Sequence, residues 1–309
     1  MEKKIYFVDA SLLKQSACML RVWRMGIEGY RSKINSVDIE YGQAFHQFAQ
    51  EFVNTKGDFK TSVTKAVEYF STTPYIPKLK KDWMNVAHLK KTCFDWMQHW
   101  ESTPDNLEPL RVEGMHTTEL KFDIPYYQND LFEIHLCGTI DKICRTKGNQ
   151  GPYCIVDYKT TSSWAREEYF DQYRLDPQLR FYRLAIKKYA ELYPTSIFAE
   201  MVTKGCGAMI EGVFLANNKD AIIQRSDAMF FKAPDMEMFE RMLNDFIDNL
   251  VRELSCGPTP YKQGILNGAC NSKFGCDYSV ACGAPDSIAE QHVLRHSFKQ
   301  VQYNPLSFH

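Results

Sequence analysis

Asp157 and Lys159 are two residues apart in YCIVDYKTT, a β-branched and apolar run that reads as a strand, so both side chains leave the same face. Asp141 lies on the preceding strand candidate, with fifteen residues between it and Asp157, a separation that suits a hairpin bringing the two carboxylates together. Two facing carboxylates suit a hard cation such as Mg²⁺, which takes oxygen ligands and keeps several waters. Such an ion polarises a phosphate and acidifies a coordinated water, while an adjacent ammonium orients that water or offsets charge on the phosphate. This is phosphodiester hydrolysis chemistry. By itself the triplet is better read as a solvated strand pair with a surface ion bridge.

A second constellation lies near the end of the chain. Cys270, Cys276 and Cys282 follow at five-residue intervals in a Gly-, Asn- and Ser-rich stretch, and Cys18 lies in SLLKQSACMLRVWRMGIEGY at the other end. Four thiolates complete an iron–sulfur cluster, and the same set can hold a tetrahedral zinc. Cys93, Cys137, Cys144, Cys154 and Cys206 are scattered through helix- and strand-like segments as small hydrophobes, and Cys256 has no partner motif.

The elements that must position these residues follow from periodicity. Apolar residues recur at helical spacing through 11–25, 38–55, 59–72 and 83–102, with Asp38 the expected N-cap of the second helix. From 113 the pattern alternates through TTELKFDIPY, FEIHLCGTIDKICRT and YCIVDYKTT, which predicts an antiparallel meander. Asp176-Pro177 is a helix start, with apolar spacing to Leu192. Strands at 196–204 and 208–216 and a helix at 234–255 are expected next. The organisation predicted is a single α/β domain over 1–309, with a helical insertion at 56–110 and a cysteine-bearing loop at 264–284.

GTID at 138–141, IVDYKT at 155–160 and QLRFY at 178–182 together resemble the RecB-like nucleases of the PD-(D/E)xK class, in their order and spacing. The resemblance extends through 11–25, 42–46 and 270–282; the insertion and the tail after 283 lie outside it. It implies a restriction-endonuclease-like core, a mixed central sheet flanked by helices, with an iron–sulfur-stapled terminal region. It also implies Asp141 and Asp157 as metal ligands with the Tyr158 carbonyl, Lys159 as catalytic, and Gln178 and Tyr182 as active-site supports. Gly42 and His46 match the family's Gly-x-x-x-His element, which makes His46 a metal ligand; a histidine beside Phe45 and Phe48 is otherwise more often a core-edge residue. Two departures stand out. Ile140-Asp141 replaces Pro-Asp, and five residues rather than two separate Cys270 from Cys276. Glu119, on the strand before Asp141, is a further acidic candidate without a motif.

By this resemblance the protein is a Mg²⁺- or Mn²⁺-dependent deoxyribonuclease, an exonuclease on single-stranded or end-exposed DNA, with a 4Fe–4S cluster held by Cys18, Cys270, Cys276 and Cys282. Joining Cys18 to Cys270 closes a loop of 251 intervening residues, a staple worth about 5 kcal/mol. The alternatives are a non-cleaving DNA-binding or complex-assembly subunit with the same cluster, and a zinc-stabilised protein with an incidental acidic strand pair.

Arg174, Arg180 and Arg183 flank the Gln178 helix as candidate DNA contacts. The stretch 75–100 mixes Lys78, Lys80, Lys81, Lys90 and Lys91 with Trp83, Trp96 and Trp100, which reads first as an amphipathic helix with a solvated basic face and only second as phosphate-tracking with base stacking. A net charge of -1 argues against coating of nucleic acid by bulk charge, although a basic groove can lie within a neutral total. No segment reaches the apolar length of a membrane span, and no signal-peptide pattern opens the chain, so an intracellular protein is expected, cytoplasmic or nucleoid-associated, of cellular, phage or viral origin. A helicase or a recombination or repair partner is left open.

Overall fold

A computed structural model describes residues 3–112, 115–148, 151–162, 166–258, 263–271 and 276–307. The chain divides into two compact units, one from 34–120 and 139–231, the other from 1–33, 121–138 and 232–309.

The first unit is built on a mixed sheet. Tyr153–Thr161 runs antiparallel to the second half of Phe132–Thr146, with Val156 opposite Lys142, and parallel to Cys206–Phe214, with Asp157 opposite Ile210. Leu107–Pro109 and Ile222–Arg225 extend it antiparallel at either side. Parallel neighbours need a crossover, supplied here by the helices Pro177–Leu192 and Ile197–Lys204. All six residues from Tyr153 to Tyr158 are buried, as expected where both faces of a strand are covered. Tyr158 meets Phe45 of the helix Val37–Asn54 and Trp96 of Val86–Ser102, while its neighbour Asp157 meets Gln178 of Pro177–Leu192. Successive strand side chains point to opposite faces, so helices flank the sheet on both. Ala66 and Phe70 of the helix Phe59–Thr72, with Leu89 and Cys93, share one core with Tyr41, Phe45 and Phe48.

Three expectations are corrected. The segment 196–204 is a helix, Ile197–Lys204, ended by Gly205 at φ +88, because a short apolar run carries no decisive period. Asp38 is not the N-cap: Ser36 occupies that position, and Asp38, in the first turn, pairs with Lys78 and Lys81. The helix expected over 11–25 is broken into Ala10–Leu13, Met19–Val22 and a π-turn at Trp23–Ile27. The other helices, and the start at Asp176, whose carboxylate accepts from Gln178 N at 2.7 Å, stand as read.

In the second unit Lys4–Val8, a strand not anticipated, pairs in parallel with Phe132–Leu136. The helix Ala233–Cys256 buries Phe239, Leu243, Phe246, Ile247 and Leu250. Near the chain's end Phe298–Gln300 pairs antiparallel with Tyr30–Ser32. Gly29 makes that approach feasible: its φ is +72, and a Cβ there would lie 2.0 Å from the Val301 carbonyl oxygen. Among the described residues no helix is long and apolar enough to cross a membrane.

One buried polar network ties the first unit together. Glu211, fully buried, accepts from Trp96 Nε1 at 2.6 Å, Trp100 Nε1 at 3.1 Å and Arg225 Nε at 2.7 Å. Arg225 Nη1 also donates to Asp105 at 2.8 Å, and its guanidinium lies 3.9 Å from the Trp100 ring centroid. Burial alone would raise the Glu211 carboxyl, but Lys142, Arg225 and the donated hydrogen bonds hold it below its ordinary value, and Asp105 is likewise held low by Arg225 against its burial. A carboxylate depressed in the folded state contributes stability above its unfolded value that is lost as the pH falls through the folded one. The urea midpoint should therefore fall as the pH is lowered below 4.5, the ordinary glutamate value, with tryptophan emission shifting red as Trp96 and Trp100 are released.

Candidate active site and cysteine pocket

The hairpin formed by the Asp141 and Asp157 strands does what the sequence spacing requires. Asp141 Oδ2 accepts from the backbone N–H of Tyr158 at 2.8 Å, which locks one carboxylate against the strand carrying the other. His46 Nδ1 is 3.3 Å from the same oxygen. Lys159 Nζ lies 2.5 Å from Asp157 Oδ2, and Gln178 Nε2 donates to Asp157 Oδ1 at 2.9 Å and to Tyr182 OH at 2.8 Å. Gln178 and Tyr182 thus share one helical face turned to the strand, as their spacing of four predicts. Gly42 lets the histidine helix come close: a Cβ there would stand 3.2 Å from Thr160 Oγ1.

The electrostatics are those of a cation site. Asp157 is 1% exposed, and its Oδ2, though beside the Lys159 ammonium, accepts no well-angled hydrogen bond. Burial pushes the Asp157 carboxyl up to about 6 even though Lys159 pulls it down, and the Asp141 charge adds to the rise. Asp141 is held below its ordinary value: burial opposes its charge, but His46 and Lys159 beside it prevail. The His46 imidazole is raised by Asp141 against the effect of burial, and Lys159 by Asp157 and Asp141. Two buried carboxylates, one oxygen of which lacks a well-angled hydrogen bond, fit a bound divalent cation.

Glu119 joins them. Its carboxylate, a His46 ring nitrogen and an Asp141 oxygen all lie within 4.8 Å of one another. Its φ of +51, uncommon for a strand residue, is the local geometry that goes with that placement. No period or motif marks such a residue, so reading the sequence could only include it as an unmotivated acid.

The three arginines of this stretch are placed differently from one another. Arg174 is exposed and pairs with Asp171 at 3.0 Å. Arg180, 9% exposed, donates to the Asp176 carbonyl and packs 4.7 Å from the Phe231 ring centroid. Arg183 has its Nε and Nη1 buried and sits beside the Cys206 thiol. Arg180 is buried on this helix with Leu179, Phe181 and Leu184, whereas Arg183 is half-buried. Trp96 and Trp100 are committed to Glu211, and Lys91 pairs with Asp95 and Asp220, so in this helix the amphipathic reading holds.

In the second unit, Cys18, Cys270, Cys276 and Cys282 line one pocket together with Leu20, Arg21 and Tyr278. Burial and the neighbouring Cys276 and Cys18 raise the Cys270 thiol, as expected where thiols converge. Residues 272–275, within the expected cluster loop, lie outside the described residues. The donor set of four thiols on one pocket fits a thiolate-bound metal centre. Cys93, Cys137, Cys144, Cys154 and Cys206 are buried.

A mixed sheet thus brings two buried aspartates and a lysine together beside a histidine-bearing helix, a donor set that fits a divalent cation. The family model for the PD-(D/E)XK nuclease superfamily matches residues 14–283, and the chain belongs to that superfamily. Among curated proteins nothing matches. Of solved structures, an exonuclease candidate from Eubacterium rectale is 11% identical over 92% of this chain and 92% of its own, with a TM-score of 0.48. The protein SSO0001 is 9% identical over 89% of this chain and 94% of its own, with a TM-score of 0.28. Likeness this distant bears on neither substrate nor mechanism, so the family assignment rests on the family model and the site.

Proposed function

We propose that the chain is a RecB-like deoxyribonuclease dependent on Mg²⁺ or Mn²⁺, acting as an exonuclease on single-stranded or end-exposed DNA. The observation that carries this is the buried Asp157, held by Lys159 and Gln178 beside the Asp141–His46 pair. Asp141, Asp157, His46 and the Tyr158 carbonyl would hold the ion, with Glu119 a further donor. Such an ion supplies Lewis acidity to the phosphate and acidifies a coordinated water.

The chain's own residues do the rest. Lys159, raised by its two aspartates, stays an ammonium at neutral pH and faces the position where negative charge grows on the phosphate. Gln178 fixes the Asp157 rotamer through Oδ1, leaving Oδ2 toward the lysine, and Tyr182 fixes Gln178 in turn. The Tyr158 N–H fixes Asp141 in the same way.

The test is degradation of end-labelled single- and double-stranded DNA by anaerobically purified protein with Mg²⁺ or Mn²⁺. Shortening from the ends is expected, and the label position reports polarity. A folded wild type that binds DNA without cutting it would return the reading to a non-cleaving assembly subunit.

The four-cysteine pocket is proposed to hold a 4Fe–4S cluster as a structural staple, with DNA as the only macromolecular partner the reading requires. Metal analysis should find about four irons per chain, falling sharply in Cys276→Ser; zinc without iron would assign the pocket to zinc instead. In that variant, hydrogen exchange should rise first in the segments around Cys18 and Cys282 and last in the Asp157 strand.

A further inference from the structure

The lysines of the 75–100 stretch do not share one fate. Lys90 and Lys91 lie on the helix Val86–Ser102, whereas Lys78, Lys80 and Lys81 form a separate loop before it. That loop is held in one shape. Lys78 Nζ lies 2.5 Å from Asp38, Lys81 pairs with the same carboxylate, Lys81 N donates to the Lys78 carbonyl at 2.9 Å, and Trp83 Nε1 donates to the Lys80 carbonyl at 3.0 Å. Lys80 sits at φ +68, the left-handed region that a non-glycine residue rarely adopts. At the tip Leu79 is 92% exposed.

The loop lies at the end of the catalytic strand. Lys81 Nζ donates to Ser162 Oγ at 3.1 Å. Ser162 is three residues beyond Lys159, so at strand rise the loop is anchored roughly 10 Å along the chain from the catalytic ammonium. Two of the three ammonium groups share one carboxylate, Asp38, so even with the exposed Asp82 next in the chain the loop carries positive charge in excess. A loop kept strained and pinned while it displays an apolar side chain between lysines matches a surface for a strand that is anionic along its backbone and apolar on its base faces.

Resting on the nuclease reading, we propose that the loop Pro77–Lys81 grips the DNA strand entering the active site, with Lys78, Lys80 and Lys81 on phosphates and Leu79 against a base. Binding of a fluorescein-labelled single-stranded oligodeoxynucleotide, followed by anisotropy in EDTA across a salt series, tests this in the full chain. In the Lys78→Ala/Lys80→Ala/Lys81→Ala variant, affinity at low salt should fall about tenfold. The slope of log K against log salt should flatten by about 2, at roughly 0.7 for each of the three phosphates no longer neutralised. Lys91 faces two carboxylates, Asp95 and Asp220, whereas Lys78 and Lys81 share one, so Lys91→Ala removes no excess positive charge and should leave the slope unchanged.

Leu79→Ser should weaken binding severalfold at an unaltered slope, since no charge is removed. Circular dichroism and urea midpoints equal to wild type confirm that the variants are folded. A triple variant with wild-type affinity and slope overturns the grip, and wild-type affinity in Leu79→Ser overturns the base contact. If the wild type itself binds no oligonucleotide at the lowest salt, the nuclease reading falls with it, which separates the two failures.

Discussion

Lys159→Ala is expected to slow phosphodiester cleavage by about a hundred- to a thousandfold, the usual loss when one preorganised group facing the developing charge is removed from a buried site. The magnitude follows from position. Lys159 Nζ is 2.5 Å from Asp157 Oδ2 and is three-quarters shielded from solvent, so bulk water cannot take over its role at the phosphate. The fold should persist, because the Asp141 to Tyr158 hydrogen bond and the Gln178 to Asp157 hydrogen bond do not involve the lysine. Single-turnover rates on end-labelled DNA, measured beside oligonucleotide affinity, separate chemistry from binding. A rate within threefold of wild type at unchanged affinity would remove Lys159 from the mechanism. Lys159→Arg should recover little, since the broader guanidinium cannot occupy the ammonium's place against Asp157.

The second large effect is on stability. Glu211→Ala should cost about 3 to 5 kcal/mol, the range for removing one partner of a buried ion pair and leaving the other uncompensated. Arg225, the Trp96 and Trp100 N–H groups and the neighbouring charge of Lys142 all face that carboxylate, so one truncation orphans several groups. Against the roughly 5 to 15 kcal/mol that usually separates folded from unfolded chains, this removes a large share of the total. Urea unfolding followed by tryptophan fluorescence measures it. Glu211→Leu/Arg225→Met should be less damaging than Glu211→Ala, because it removes both charges and fills the space. If the double variant were much the worse of the two, the network would be acting through packing rather than charge.

Much of the site was legible because it depends on short-range geometry. The alternation that puts Asp157 and Lys159 on one face, the four-residue spacing of Gln178 and Tyr182, and the Asp176-Pro177 helix start are local regularities, and each appears in the structure as read. The misreadings share a cause as well. IFAEMV over 197–202 suits a strand or a helix by hydrophobicity, and what decided it was the need to connect two parallel strands across the sheet. Asp38 suits a cap by residue type, but Lys78 and Lys81, some forty residues on, fold back to claim its carboxylate.

From sequence alone, then, came the residue types, the order of the motifs and the periodicity that places Asp141, Asp157, Lys159 and His46 on neighbouring elements. Tertiary structure alone decided that Glu119 turns its carboxylate toward His46 and Asp141, that Arg180 packs on Phe231, and that the lysine loop stands at the end of the Asp157 strand. The division has a physical origin. Side-chain direction along one helix or strand is set by backbone dihedrals that repeat every few residues, whereas proximity between elements far apart in the chain is set by how their apolar faces pack, which no local period records.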